Sequence, residues 1–103
     1  MLFSITVSYT RPLDEVKEHL DAHKEWLVRH IKAGAILVAG PLQQGQGGFI
    51  LAHAQDGSEI ATMIADDPLD RHGVASFDIQ ACDPVLRAAG FSEQWAPGAK
   101  AFP

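Results

Sequence analysis

The order in which apolar residues change their spacing along this chain is the tightest constraint on its fold. Phe3, Ile5, Val7 and Tyr9 alternate with Ser4, Thr6 and Ser8, the period of two that marks a half-buried strand. Over residues 13–33 the period changes. Leu13, Val16, Leu20, Leu27 and Ile31 recur at spacings of three, four, seven and four, the stripe of an amphipathic helix, and Gly34 follows where a left-handed residue commonly closes one. Residues 35–42 and 49–54 read as two strands joined by the Gln- and Gly-rich segment 43–48. Residues 58–65 return to helical spacing, with Ile60, Met63 and Ile64 on one side, until Pro68 stops them. Asp67, Pro68 and Gly73 then frame a further helical turn as N-cap, first helical residue and closing glycine. Residues 74–82 alternate once more. The succession β-α-β-β-α-β predicts an α+β, ferredoxin-like fold: a four-stranded antiparallel sheet with both helices on one face.

That architecture leaves one sheet face without helices, and a chain of 103 residues buries only about two thirds of its surface on folding. A partner subunit is therefore expected on the open face. Residues 1–82 contain all the predicted elements. Residues 83–103 carry Val85, Leu86, Phe91, Trp95 and Phe102, too many large apolar groups for a free terminus, so this C-terminal extension is expected to dock on its own subunit or on a partner.

Charge narrows the partners. Thirteen acidic residues against 8 Lys plus Arg give a formal charge of −5, and the cations are scattered, so no phosphate-binding stripe exists and nucleic acid is not expected. No apolar run approaches the roughly 20 residues of a membrane span. The N-terminal residues alternate like a strand and lack a positive n-region, and the single Cys82 has no internal disulfide partner; both point to the cytoplasm.

Histidines are the informative polar groups, because His19, His23 and His30 share the long helix. At helical spacing His23 falls within the arc of Val16, Leu20, Leu27 and Ile31, while His19, Trp26 and His30 form the adjoining flank, where the imidazoles are expected to be solvated. An inward imidazole must hydrogen-bond. It is either a core histidine satisfied by one carbonyl or a general acid/base tuned by its surroundings. His19 and His23, four apart, could share a metal, but no third ligand accompanies them, and no metal or other cofactor is expected. Asp67 reads as an N-cap or as the carboxylate that orients an imidazole. The segment Gly45–Gly48 leads into a strand rather than a helix, which excludes a phosphate loop and leaves a hairpin loop beside a ligand cleft. Cys82 has no neighbouring base and is not expected to be a reactive thiol.

Three stretches resemble the YciI-like (YCII-related) family: Ala22-His23 followed at an interval by Gly34, then Ala39-Gly40-Pro41, then Asp67-Pro68 with Gly73-Val74. The order and spacing of these short motifs carry the resemblance, which spans residues 1–82. It implies a dimeric α/β barrel of two sheets packed face to face, and a His–Asp active-site pair that falls here on His23 and Asp67. Gly40, Pro41 and Gly47 would then border the pocket. The function so implied is cofactor-independent proton transfer, by elimination, dehydrochlorination or isomerisation, on a small cyclic or enolisable molecule. The alternative is a noncatalytic dimeric module that binds a small ligand or a protein. The Gln- and Gly-rich stretch after Pro41 and the long tail depart from the common family pattern.

Overall fold

A computed structural model describes residues 1–103. Strand β1 (Leu2–Tyr9) leads into α1 (Leu13–Lys32), followed by β2 (Ile36–Pro41), β3 (Gly47–His53), α2 (Gly57–Ala65), the single turn α3 (Pro68–Arg71) and β4 (Ala75–Cys82). The four strands form one sheet in the order β2-β3-β1-β4, and each neighbouring pair is antiparallel. This is the ferredoxin-like α+β arrangement, with element ends shifted by one or two residues from the sequence reading.

Alternation in β1 sorts the two faces. Phe3, Ile5 and Val7 are buried under the helices, opposite Ala52, Ile50 and Gly48 of β3 and Ala81, Ile79 and Phe77 of β4. Ser4, Thr6 and Ser8 point the other way, paired with Gln80, Asp78 and Ser76 on β4 and with Leu51, Phe49 and Gly47 on β3. The helix-free face therefore mixes hydroxyl groups with exposed Phe49 and Val38.

Helix α1 differs from the sequence reading in its rotation. Trp26, assigned to the flank, is completely buried, whereas Ile31, assigned to the stripe, is 43% exposed and Leu13 is 39% exposed. The buried face is turned toward the histidine side because the indole, the largest side chain of the helix, takes the centre of the core. Its Nε1–H donates to the Met63 carbonyl at 3.0 Å and so ties α1 to α2. The flank histidines are consequently half-buried rather than free in solvent. His19 stacks on His72 with ring centroids 3.9 Å apart, and His30 lies half-buried with its ring edge-on to Trp26 at 5.2 Å.

Helix ends follow local chemistry. Asp56 Oδ1 accepts from Ser58 N–H at 3.0 Å and Glu59 N–H at 3.3 Å, capping α2, while Glu59 accepts from Gln55 N–H at 2.7 Å. Gly34 closes α1 with φ +88°. In the extension, β5 (Leu86–Ala88) and β6 (Lys100–Phe102) pair in parallel around a 3-10 turn, Glu93–Trp95. Ala96 and Ala99 are buried, but Val85 is 74% exposed, and Leu86 and Phe102 also stand in solvent. Within one subunit the extension thus buries only part of its apolar surface.

Candidate active site

Two elements meet at His23. Its position on the inner side of α1 is set by helical spacing, and α3 approaches because Asp67 and Pro68 start a turn directly after α2. Asp67 is the N-cap of that turn: its Oδ1 accepts from Leu69 N–H at 3.1 Å. The same oxygen lies 2.8 Å from His23 Nδ1. An oxygen acceptor at that distance takes a hydrogen from Nδ1, and in the neutral imidazole this tautomer leaves the lone pair on Nε2. The Asp67 side chain is 0% exposed and that of His23 14%, so the pair is sheltered from water except at the imidazole edge. Trp26 stacks behind the imidazole with centroids 5.6 Å apart and planes 22° from parallel. Asp67 Oδ2 is buried without a partner.

His23 forms part of the wall of a cavity of about 200 Å³ between α1 and the β2–β3 edge of the sheet. Gly40, Pro41 and Gly47 line the same cavity, together with Gly48, Leu27 and Tyr9. The space is there because β3 begins with glycines. Gly48 pairs with Val7 on the helix side of the sheet and has no side chain to fill the gap. A Cβ on Gly47 would run into the Val7 carbonyl, so close strand approach demands glycine there. All five site residues read from the sequence are thus gathered in one place: His23, Gly40, Pro41 and Gly47 around the cavity, and Asp67 behind the imidazole. Tyr9 was not singled out, although its place in the β1 alternation puts it on the helix face.

A larger cleft of about 1130 Å³ lies at the other end of α1, between α2 and the extension, which contributes Gln94 and Pro97. His30 reaches it. Burial and the neighbouring Arg29 charge lower the His30 pKa, opposed by Asp66 and Asp67, and its buried Nε2 has no partner. Size favours this cleft, but it lacks a histidine paired with a carboxylate. His53, also at its edge, is tied by Nε2 to the Gly34 carbonyl at 2.6 Å. The chemistry therefore points to the smaller cavity.

A four-stranded antiparallel sheet with its helices on one face defines the class of small ferredoxin-like α+β proteins. The chain belongs to the YCII family: the model of the YCII-related domain matches residues 1–82. Among solved structures it is similar to 5-chloro-2-hydroxyhydroquinone dehydrochlorinase from Burkholderia phenoliruptrix AC1100, determined as a complex with 2,5-dihydroxybenzoquinone. The identity is 24%, the match covers 82% of this chain and 95% of that one, and the TM-score is 0.68, a likeness of fold. No curated protein matches the chain in sequence. No helix is long and apolar enough to cross a membrane.

Proposed function

We propose that this protein is a small acid–base enzyme in which His23 moves a proton on a small cyclic or enolisable molecule bound in the 200 Å³ cavity. The observation that carries the reading is the 2.8 Å bond between His23 Nδ1 and Asp67 Oδ1 at the wall of that cavity. With Nδ1–H held by the carboxylate, Nε2 takes a proton from carbon or hydroxyl, and Asp67 steadies the imidazolium that results. In an elimination the bonding pair released by deprotonation forms the new double bond as the leaving group departs with its own pair. In an isomerisation the imidazolium returns the proton to a different carbon. The dehydrochlorinase supports a hydroxylated ring as the substrate class, since that protein was captured with a dihydroxylated quinone.

The test is chloride release from 5-chloro-2-hydroxyhydroquinone, together with deuterium exchange into a panel of cyclic ketones. Wild-type turnover is expected to fall by about 10²–10⁴-fold in His23→Gln. Equal rates in the two proteins, at unchanged melting temperature, would remove His23 from the chemistry. A second reading, a noncatalytic ligand-binding module, is favoured by the larger cleft beside His30; there the same substitution changes stability without any turnover to lose.

The subunit is further proposed to act as a homodimer, packed through the helix-free sheet face as a barrel. Exposed Val38 and Phe49 on that face, and Val85, Leu86 and Phe102 on the extension, support a second copy as the cover.

A further inference from the structure

Deprotonation beside a carbonyl, or of a ring hydroxyl, leaves negative charge on an oxygen, and a cavity must answer that charge with a donor or bear a heavy desolvation cost. The supply of side-chain donors in the His23 cavity is short. Of the 11 residues that line it, only Tyr9 and His23 have polar side chains. His23 cannot act twice at once: its Nδ1–H is committed to Asp67 and its Nε2 is the base. The remaining side-chain donor is the Tyr9 hydroxyl.

The fold brings Tyr9 to this wall for a simple reason. Tyr9 is the last residue of β1 and continues the helix-facing series of Phe3, Ile5 and Val7. It lies beyond Val7, where the facing strand contributes glycines instead of bulk. The ring packs partly against the core, so its phenol is carried on a supported side chain rather than on a mobile loop.

Building on the acid–base reading above, we propose that Tyr9 is a second catalytic residue, donating a hydrogen bond to the substrate oxygen that gains negative charge while His23 removes the proton. In that step the C–H bond breaks, its proton goes to His23 Nε2, its electron pair forms a C=C bond, and the carbonyl π pair moves to the oxygen held by Tyr9. Return of the proton reverses the shifts. The cavity of about 200 Å³ is smaller than the roughly 300–1,000 Å³ of drug-sized sites. The substrate class is therefore a single oxygenated ring, a phenol, enol or cyclic ketone, with its oxygen toward Tyr9 and its acidic position toward His23.

The experiment uses the full chain and two probes, 4-nitrophenol, whose ionised form is read by absorbance, and 4-nitroanisole, which cannot ionise. Wild-type protein is expected to bind the phenolate in preference to the phenol. In Tyr9→Phe, phenolate affinity should drop on the order of tenfold or more, while 4-nitroanisole affinity stays within about twofold, at the level of noise expected for an isosteric change. Equal phenolate affinity in the two proteins overturns the proposal, as does a parallel loss of both probes or failure of the wild type to bind 4-nitrophenol. Turnover by His23→Gln reads the acid–base function separately: an inactive His23→Gln beside a silent Tyr9→Phe removes the tyrosine alone.

Discussion

Asp67 uses one carboxylate oxygen for two purposes, capping α3 and holding His23, and its substitutions separate them. Asn preserves an acceptor for the Leu69 amide, whereas Ala leaves both that amide and the Nδ1–H unpaired in a buried place. Asp67→Ala is expected to cost about 3 kcal/mol and Asp67→Asn about 1 kcal/mol, from the usual worth of a cap and of an unpaired buried donor. Urea denaturation checks this, and equal losses would show that a neutral acceptor cannot stand in for the carboxylate at this position. His30 supplies a pH dependence of known sign. Burial, with Arg29 beside it, holds its pKa below the ordinary histidine value, so between those two values the unfolded chain binds more protons than the folded one. Its contribution to stability is whole above the ordinary range and is lost as pH falls toward the folded value. The urea midpoint should therefore drop between about pH 7 and pH 5, and less steeply in His30→Gln. An identical slope in both proteins would assign the effect to other groups.

Helices and strands place these residues, and three glycines show how differently one residue type can act within them. At Gly47 an added methyl group meets the Val7 backbone, which cannot move without breaking the β1–β3 ladder. At Gly34 there is space, but φ is +88°, a conformation that other residues reach only with strain. At Gly40 there is neither a contact nor a positive φ. Thermal melts of the three alanine variants should rank Gly47→Ala as the most destabilised and Gly34→Ala as down by roughly 1 kcal/mol. Gly40→Ala should match the wild type; a low-melting Gly40→Ala would mean that something presses on this strand edge. Helix α1 was legible in length and ends but not in rotation. Apolar spacing alone pointed to Ile31, while the core took Trp26, because an indole offers more area than an isoleucine and found a carbonyl for its N–H.

At the scale of the molecule the decisive feature is unbalanced cover. The sheet carries helices on one face, and the extension holds Val85, Leu86 and Phe102 in solvent. Sedimentation of the proposed dimer should show a shift toward monomer when Phe49 and Val38 are both replaced by Lys, since two like charges facing their symmetry mates oppose association. A dimer that survives this change would be built on another surface.

Local pattern was sufficient for the element order, the sheet topology class, the turn at Asp67-Pro68 and the inward face of His23, because spacing of apolar residues, a capping carboxylate and a proline act within a few residues of themselves. The residues of the candidate site could be named from family motifs, but their meeting could not be derived from spacing. His23 and Asp67 lie 44 residues apart and come together only because α3 packs beside α1. The cavity, too, is a product of register: pairing Val7 with Gly48 is what leaves a side chain missing beneath the helix. Tyr9 illustrates the division most directly. Alternation along β1 put it on the helix face, but only the packing of α1 over the glycine-edged strands made Tyr9 part of the wall of the same cavity as His23, since long-range contacts are chosen by how whole elements fill space together.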